Sequence, residues 1–323
     1  MARVATMSMG SVPVAADDQA KGITMETTDT EAVLAKTNFD DIYDQADPRS
    51  YYRWLGAYDY AVPHYGQQVF RQVIAELAVE QPTIVDLCCS YGVNAALLKH
   101  DLELSDLYER YRSDEVADLS SGELAELDRE FYAGVRSNDA PEVIGLDAAA
   151  NAVGYAVEVG LLDQGVVANL ELTDPSPDLA AAVGSADLVT VTGGIGYVTE
   201  RTFERVLSCA TSERLPWVAS LCLRTVPFGP IADLLAAQGL VTEQLDGVTF
   251  PQRRFTGDDE RDYALTELEA MGIEAAGREA EGAYHVNVFL SRPAEDVAER
   301  PIDEIIDVSE AASHIPRLEE SGG

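Results

Sequence analysis

An acidic side chain and a compact turn lie at the end of the first strongly apolar run in the chain. Residues 83–87 (Thr-Ile-Val-Asp-Leu) are typical of a buried β-strand, and the acid is Asp86. Most residues of the turn that follows are small: Cys88, Cys89, Ser90, Tyr91 and Gly92. Such a turn allows backbone N–H groups to approach a ligand, and a neighbouring carboxylate can bind an ammonium group. This segment is therefore the first candidate binding site.

A second acid ends the next apolar run and precedes a helical pattern. Residues 143–147 (Val-Ile-Gly-Leu-Asp) predict a strand that ends at Asp147, and the following helix begins near Ala149. A carboxylate at the end of a second strand can accept both hydroxyl groups of a ribose. Asp147 follows Asp86 by 61 residues, and an acidic, mostly helical segment (residues 101–140) lies between them. Without that segment the separation is about 20 residues, which is typical of nucleotide-binding α/β folds.

Short β-branched runs alternate with helical patterns over most of the chain. Predicted strands lie at 83–87, 143–147, 166–170, 186–192, 217–223, 241–245 and 283–291. Most of the first five are nearly continuous apolar runs, which is typical of strands buried on both faces. The last strand alternates, which favours an edge position or an antiparallel strand. The pattern predicts an α/β fold, a doubly wound, mostly parallel seven-stranded sheet with helices on both faces.

Three segments stand apart from this alternation. Residues 1–45 are polar and aperiodic, and they predict a mobile N-terminal tail. Residues 101–140 predict a helical insertion after the first strand-helix unit, either a lid or a solvated decoration. Residues 293–323 predict an acidic C-terminal tail with a short helix near Ile305. Residues 46–292 then form the predicted ligand-binding domain.

The first motif resembles that of a known family. Residues 85–92 read Val-Asp-Leu-Cys-Cys-Ser-Tyr-Gly, and the class I S-adenosylmethionine-dependent methyltransferases carry V-(L/V)-D-x-G-C-G-x-G at this position. Two of the three usual glycines are replaced here, by Cys88 and Ser90. The resemblance covers residues 85 to about 200, and the later strands extend it to about 292. It implies a Rossmann-like domain whose cofactor is S-adenosylmethionine.

The resemblance also implies a cofactor site built from residues that follow four strands. Asp86 faces the methionine ammonium group, and Asp147 accepts the ribose hydroxyls. Residues 169–171 lie beside the adenine, and residues 192–194 border the sulfonium. The implied cofactor-binding residues are Asp86, Cys88, Ser90, Gly92, Asp147, Ala148, Asn169, Leu170, Glu171, Thr192, Gly193 and Gly194.

No motif of this kind marks the residues that act on a substrate. Methyl transfer from a sulfonium needs mainly in-line positioning in a dry pocket, and aromatic faces can stabilise the cation. Tyr91 and Tyr197 lie in the predicted cofactor loops, and Arg224 follows the fifth strand, where it can clamp a substrate carboxylate. These three are the candidate catalytic residues. An aromatic group before the first helix is either packing or pocket lining: Tyr51, Tyr52, Trp54, Tyr58 and Tyr60.

These patterns favour an enzyme, an S-adenosylmethionine-dependent methyltransferase that acts on a small-molecule metabolite. No D-P-P-Y or N-P-P-Y motif follows the fourth strand, which argues against the N-methyltransferases of nucleobases and glutamine. Two alternatives keep the cofactor: a non-methylating cyclase or lyase similar to the azetidine-2-carboxylate synthases, and a catalytically silent binding module. A nicotinamide-binding Rossmann protein is disfavoured because it needs G-x-G-x-x-G directly after the first strand.

The composition excludes several classes of partner. The 323 residues include 22 Lys and Arg against 57 Asp and Glu, a formal net charge of −35. This charge disfavours binding to nucleic acid and to anionic lipid. The chain has no apolar run of about 18 residues to span a membrane, and its N-terminus makes a poor signal peptide, so we expect a cytoplasmic protein. The four cysteines and four histidines show no metal-ligand spacing, and the sequence leaves the oligomeric state open.

The acid excess, with only three lysines (Lys21, Lys36 and Lys99), is typical of proteins from a high-salt cytoplasm. Repulsion between the carboxylates destabilises the folded chain at low ionic strength, whereas molar salt shortens the Debye length to about 3 Å. We therefore expect the melting temperature, followed by circular dichroism, to rise steeply as KCl is added. A melting temperature that is the same in low and in molar KCl would contradict a halophilic origin.

Overall fold

The computed structural model describes residues 40–211 and 214–308, and one mixed sheet of eight strands forms its centre. The strands are β1 (Thr83–Leu87), β2 (Glu142–Asp147), β3 (Gln164–Val167), β4 (Leu188–Thr192), β5 (Trp217–Leu223), β6 (Leu240–Gln244), β7 (Phe250–Arg254) and β8 (Ala283–Pro293). Their order is β3-β2-β1-β4-β5-β8-β6, and β7 also pairs with β8. Strands β1 to β5 run parallel, and β8 is antiparallel to β5, β6 and β7.

Helices cover both faces of the sheet. They are α1 (Asp40–Tyr43), α2 (Arg49–Gly56), α3 (Val62–Glu76), α4 (Val93–Lys99), α5 (Leu104–Arg112), α6 (Asp114–Ala117), α7 (Ser121–Gly134), α8 (Ala150–Glu158), α9 (Pro177–Val183), α10 (Glu200–Leu207), α11 (Gly229–Ala237), α12 (Asp258–Ala270), α13 (Ala294–Glu299) and α14 (Ile302–Ile305). The predicted doubly wound α/β fold is therefore confirmed. None of the helices in the described ranges is long and apolar enough to cross a membrane.

The strands divide the apolar core into two layers, because successive side chains of a strand point to opposite faces. In β1, Ile84 packs in the layer that contains α2, α3, α4 and α8. Val85 and Leu87 pack in the other layer, with α9, α10 and α11. The same alternation places Asp86 on the face of Ile84, beside α4, where Asn94 donates a hydrogen bond to its carboxylate.

The order of the strands reverses between β1 and β4. The chain proceeds outward from β1 to β2 and β3, and it then returns to place β4 on the other side of β1. Parallel sheets leave a crevice outside the carboxyl ends of the strands at such a point. The turns that follow β1, β2 and β4 meet there, and they are the turns that carry the predicted binding residues.

The third strand and an additional eighth strand differ most from the prediction, whereas the bounds of the other strands lie within two residues of it. The third was expected at 166–170 but spans Gln164–Val167. It ends there because its partner β2 ends at Asp147, opposite Val167, so Asn169 enters a turn instead. The eighth strand, β7, was not predicted because Pro251 and two arginines interrupt its apolar pattern. Pro251 lies at a bulge in the pairing with β8, where a missing N–H is tolerated.

The two ends of the described chain also carry structure within predicted tails. Residues 40–45 were assigned to the N-terminal tail, yet they contain α1, and Ile42 is buried. The expected short helix near Ile305 is α14, whose Ile302 and Ile305 are buried. The remainder of the two predicted tails, residues 1–39 and 309–323, lies outside the described residues.

The helical insertion is α5, α6 and α7, between α4 and β2. Its centre is the fully buried carboxylate of Asp128, which accepts hydrogen bonds from Tyr111 Oη (2.6 Å), from Arg110 Nε (2.7 Å) and from the hydroxyl of Tyr155. Tyr155 belongs to α8, so the network attaches the insertion to the main sheet layer. Burial, and then the Asp128 carboxylate, raise the pKa of Tyr155 far above its ordinary value, which keeps this phenol a donor.

We expect Asp128→Ala to lower the free energy of unfolding by about 3 kcal/mol, because it leaves a guanidinium and two buried hydroxyls without their acceptor. The matched control is Glu126→Ala, which removes an exposed carboxylate from the same helix and should change stability by less than about 0.5 kcal/mol. Both variants are compared by urea unfolding in molar KCl. Equal stability of the two variants would show that the network contributes nothing to folding.

Candidate ligand-binding cleft

A cleft of about 660 Å³ lies at the carboxyl ends of β1, β2 and β4. Its volume falls within the roughly 300–1,000 Å³ that is typical of small-molecule sites. Most residues that the sequence placed in a binding site line it: Cys88, Ser90, Asp147, Ala148, Asn169, Leu170, Glu171, Thr192, Gly193, Gly194 and Tyr197. The turns after four different strands therefore converge on one space, as the strand-end positions predicted.

The turn after β1 adopts left-handed backbone conformations at three positions. They are Cys88 (φ 57°), Ser90 (φ 48°) and Gly92 (φ 73°). These are the positions at which the resembled motif carries glycine, so the chain keeps the backbone of the motif without two of its glycines. A residue other than glycine costs on the order of 1–2 kcal/mol in this region, which the surrounding sheet has to offset.

Gly194 makes room for the side chain of Cys88. A Cβ atom at Gly194 would lie 2.8 Å from Cys88 Sγ, which is closer than non-bonded atoms approach. The two positions are therefore coupled: the larger residue in the turn after β1 faces a glycine in the turn after β4. Gly92 has a different function, since a Cβ there would lie 3.1 Å from Ala156 Cβ. It allows α4 to pack closely on α8 and is not among the residues that line the cleft.

Asp147 is held rigidly by backbone donors. Ser90 N donates to Asp147 Oδ2 (2.9 Å), and Ala149 N donates to Oδ1 (3.0 Å). Each carboxylate oxygen can accept a further hydrogen bond, and Asp147 is part of the cleft surface. The carboxylate is thus oriented in advance to accept two hydroxyl groups of one ligand.

Asp86 lies beneath the same turn and is almost completely buried. Its Oδ1 accepts hydrogen bonds from Asn94 Nδ2 (2.9 Å) and Thr190 Oγ1 (2.8 Å). Its Oδ2 has no hydrogen-bond partner within the described part of the chain. Burial, with a smaller contribution from the charge of Asp147, raises the pKa of Asp86 to about 6. A buried carboxylate with one unsatisfied oxygen is suited to a cationic donor such as an ammonium group.

The far end of the cleft is formed by residues 169–171. Leu170 is buried and closes this end, while the carboxylate of Glu171 accepts hydrogen bonds from Thr199 N and Oγ1 (both 2.8 Å) and from Thr202 Oγ1 (2.6 Å). Burial alone would raise the pKa of Glu171, but these hydrogen bonds outweigh it and hold the pKa below its usual value. Glu171 is therefore a fixed negative charge that also ties the turn after β3 to α10.

Four tyrosines contribute to the cleft surface. Tyr43, Tyr51 and Tyr60, together with Tyr197 from the turn after β4, are called the tyrosine wall below. The Tyr51 ring lies edge-on to Tyr43 (centroids 5.6 Å apart) and to Tyr60 (6.4 Å). Burial raises the pKa of Tyr43, Tyr51 and Tyr60 well above 10, so their hydroxyls stay protonated near neutral pH. They can present aromatic faces and O–H donors, but not phenolate bases.

The insertion supports this wall from behind. Tyr52 stacks on Tyr111 of α5 (centroids 4.6 Å, planes 11° apart), and Tyr108 Oη donates to the Tyr60 carbonyl (2.8 Å). Neither insertion residue is part of the cleft surface. No residue of the insertion lines the cleft, and its contacts with Tyr52 and with the Tyr60 carbonyl connect it to the tyrosine wall.

The segment between α1 and α2 crosses the end of the cleft near Asp147. Asp44 Oδ1 accepts a hydrogen bond from Asn151 N (2.6 Å), at the beginning of α8. Tyr91 Oη accepts from Gln45 N (2.8 Å) and donates to the Gln45 carbonyl (3.0 Å). Because its hydroxyl is used in this way, Tyr91 is buried behind the segment and does not reach the cleft surface. The expectation that Tyr91 faces the ligand is therefore corrected to a positioning role.

Arg224 is also absent from the cleft surface. Its Nη1 pairs with Glu279 Oε2 (2.5 Å), and its Nη2 donates to the Glu274 carbonyl (2.7 Å). The reason lies in the sheet: β5 is flanked by antiparallel β8, and Arg224 N donates to the His285 carbonyl, which directs the residue toward that flank. A guanidinium buried there needs a carboxylate partner, and Glu279 supplies it. The predicted substrate clamp is corrected to a structural ion pair.

Several residues of the cleft carry little signal in the sequence. Tyr43 and Asp44 fell in the predicted tail, and Val198 and Thr202 follow the turn after β4. The only signal for the first two was an apolar residue and a tyrosine among acids at the end of the polar segment. The aromatic group before the first helix was assigned to either packing or lining, and it does both: Tyr51 and Tyr60 line the cleft, whereas Tyr52 packs behind them.

The charges on the cleft surface are all negative. Asp44, Asp147 and Glu171 line it, whereas Asp86, which was predicted to face the ligand, is buried and is absent from the lining. No Lys, Arg or His belongs to this lining within residues 40–211 and 214–308. Those same ranges also contain no group of three or more His, Cys, Asp or Glu placed to hold a metal ion.

Comparisons with known proteins give similarity at the level of solved structures only. No protein-family model matches the chain, and no curated protein matches it. A TehB-like SAM-dependent methyltransferase from Corynebacterium glutamicum is 15% identical, over 69% of this chain and 86% of that one, with a TM-score of 0.35. The YcgJ protein of Bacillus subtilis is 12% identical, over 71% and 99%, with a TM-score of 0.42. The plantazolicin methyltransferase BpumL, in complex with a substrate analogue and SAH, is 8% identical, over 82% and 96%, with a TM-score of 0.40.

The buried Asp86 predicts a specific pH dependence of stability. Its pKa is 3.8 in an unfolded chain and about 6 in the fold, so the folded chain binds the proton more tightly. The contribution of the Asp86 carboxyl group to folding stability is therefore complete below pH 3.8 and is lost as the pH rises to about 6. The loss is at most roughly 3 kcal/mol.

The variant Asp86→Asn keeps the hydrogen-bond acceptor and removes this titration. We expect the difference in unfolding free energy between the variant and the wild type to grow with pH from about 4 to about 6 and then to level off. Denaturant unfolding at constant KCl measures it, with the exposed Asp139→Asn as the matched control. A difference that is independent of pH would contradict the burial of an ionisable Asp86 in the fold.

Proposed function

We propose that this chain binds S-adenosylmethionine in the cleft and transfers its methyl group to a small-molecule metabolite. The observation that carries the proposal is the convergence of two acids on one turn. Ser90 of the turn after β1 donates to Asp147 (2.9 Å), and Asp86 lies beneath the same turn with one oxygen unsatisfied. A ligand with a diol at one end and an ammonium group at the other matches this pair.

The residues present fit the ribose, the ammonium group and the adenine of the cofactor, whereas the described lining contains no cation for its carboxylate. Asp147 is oriented to accept the ribose hydroxyls, and Asp86 is suited to the ammonium group of the methionine portion. Leu170, with its neighbours in residues 169–171, supplies the surface for the adenine. The cofactor carries a net positive charge, and the cleft lining is negative throughout.

When bound, S-adenosylmethionine supplies a methyl group that is activated by a positively charged sulfur. The work of the protein is then to position the acceptor and to exclude water. Thr192, Gly193 and Gly194 form the turn after β4 and line the cleft beside the tyrosine wall, since a Cβ atom at Gly193 would lie 3.7 Å from Tyr60 Oη. The wall offers aromatic faces to a cation, and burial raises the pKa of Tyr43, Tyr51 and Tyr60 so that their hydroxyls stay protonated near neutral pH.

The catalytic assignments follow from these positions. Tyr197 lies at the cleft and is half exposed, so it can contact an acceptor that enters from solvent. Tyr91 acts through the segment that it holds, and Arg224 belongs to a separate ion pair. The proposal therefore contains no arginine clamp and no general base among the tyrosines.

We expect Asp147→Ala to weaken the binding of S-adenosylhomocysteine by roughly 10- to 100-fold, because two hydrogen bonds to a charged acceptor are lost. Isothermal titration calorimetry in molar KCl measures the affinity. Asp139→Ala is the matched control, since it removes an exposed carboxylate just before the other end of β2 and should leave the affinity unchanged. Unchanged binding in Asp147→Ala would remove this residue from the site, and no binding to the wild type would refute the proposed cofactor.

Incubation with S-adenosylmethionine and mass spectrometry separates the possible reactions. S-adenosylhomocysteine that forms only when an acceptor or a cell extract is added supports methyl transfer. Methylthioadenosine that forms without an acceptor would replace the proposal with a cyclase or lyase. Tight binding with neither product would indicate a silent binding module.

A further inference from the structure

The tyrosine wall is the part of the cleft to which the cofactor assignment gives no complete role. Asp147, Asp86 and residues 169–171 account for the nucleoside and for the methionine portion. The wall adjoins the turn after β4, where the proposed function places the reacting sulfur: a Cβ atom at Gly193 would lie 3.7 Å from Tyr60 Oη. An acceptor that approaches this sulfur can therefore contact the wall, whose members Tyr43, Tyr51, Tyr60 and Tyr197 all line the cleft.

The surroundings of the wall disfavour an anionic acceptor. Asp44 adjoins Tyr43 in the chain and lines the same cleft, and no cation in the described part of the protein belongs to the lining. The basic group that faces the wall from behind is Arg253, whose charge acts on Tyr43 and Tyr60. It is buried and forms a two-point ion pair with Glu260 (2.6 and 3.0 Å), so its charge is already matched. A carboxylate or phosphate at the wall would meet negative charge without a counter-charge.

The wall itself matches a cation. Aromatic faces attract ammonium groups, and the attraction increases where water is excluded. The Tyr51 ring lies edge-on to the rings of Tyr43 and Tyr60, with interplanar angles of 69° and 87°. The hydroxyls of these tyrosines stay protonated, so the wall offers aromatic faces and neutral O–H groups to a cation.

Resting on the proposed function, we infer that the acceptor is a small organic amine, bound through its cationic ammonium form against the tyrosine wall. In the transfer, the nitrogen lone pair forms the new N–CH3 bond while the S–CH3 bond breaks and its electron pair passes to sulfur. An acceptor that arrives protonated first loses one N–H proton to water at the mouth of the cleft. The methylated product again carries a positive charge and is therefore a ligand of the same wall.

Binding of choline tests this inference without turnover. Isothermal titration calorimetry uses protein saturated with S-adenosylhomocysteine in molar KCl, and it compares choline with its neutral isostere 3,3-dimethyl-1-butanol and with anionic 3,3-dimethylbutanoate. We expect choline to bind roughly tenfold more tightly than the alcohol, and the butanoate to bind most weakly. Molar salt screens the diffuse charge of the protein, so a preference that persists there reflects contact with the rings.

Paired variants assign the preference to the wall. Tyr51→Phe and Tyr60→Phe keep the aromatic face and should keep the preference for choline, whereas Tyr51→Leu and Tyr60→Leu should reduce it to about one. Trp54→Leu is the matched control, because it removes an exposed ring from the same helix as Tyr51 but outside the cleft lining. Should a leucine variant fail to fold, the phenylalanine variants and the three ligands still decide the question.

The outcomes separate this inference from the proposed function. S-adenosylhomocysteine binding without choline binding, or with a choline-to-alcohol ratio near one, overturns the amine acceptor and leaves the cofactor site intact. Leucine variants that lose affinity for S-adenosylmethionine relative to S-adenosylhomocysteine, with an unchanged choline preference, would assign the wall to the sulfonium and overturn the inference. Absence of S-adenosylhomocysteine binding to the wild type refutes the proposed function itself.

Discussion

The hydrogen bond from the Ser90 backbone to the Asp147 carboxylate is the contact on which the rest of the cleft depends. It forms because the turn after β1 passes through left-handed conformations at Cys88 and Ser90, which direct its backbone N–H groups toward β2. The same turn covers Asp86 and places Cys88 against Gly194 in the turn after β4. The strained turn after β1 thus contacts the residues that follow β2 and β4, and it links the ends of these three strands. The conformational cost is borne by the buried parallel strands β1, β2 and β4 on either side of it.

Buried cations and the acids of the cleft differ in how their charges are compensated. Cations are rare in this acidic protein, and several of them are buried with carboxylate partners: Lys99 with Asp163, Arg224 with Glu279 and Arg253 with Glu260. A buried charge without a partner is costly, and each of these three buried cations therefore forms an ion pair with a carboxylate from another part of the chain. The described cleft lining contains acids and no cation, although Arg201 donates a hydrogen bond to the Glu171 carbonyl (3.0 Å). This difference gives the site a negative potential that a compact cationic ligand can satisfy.

The insertion illustrates how residues remote from a site can determine its shape. The Asp128 carboxylate accepts hydrogen bonds from three side chains at the centre of the insertion, and one of them, Tyr155, belongs to α8. Tyr111, one of those donors, stacks on Tyr52, which is the chain neighbour of Tyr51 in the tyrosine wall. A buried hydrogen-bond network in one layer is therefore connected to an aromatic surface of the cleft through two ring contacts. Such a chain of packed groups restricts the rings of the wall to one arrangement.

Local pattern determined the elements and most strand ends of this protein, because apolar periodicity and turn-forming residues act over a few neighbouring positions. The meeting of the turns after β1, β2 and β4 at one crevice could be predicted from the sequence, since parallel strands bring their carboxyl ends to one edge. Asp147 lines this crevice, whereas Asp86 is buried outside its lining. Only the tertiary structure shows that Arg224 and Tyr91 are absent from the cleft surface. Their hydrogen-bond partners, Glu279 and Gln45, lie 55 and 46 residues away in the chain. It also decided that Tyr43 and Asp44 enter the cleft and that β7 joins the sheet. These outcomes depend on long-range pairing and burial, which no local pattern in the chain encodes.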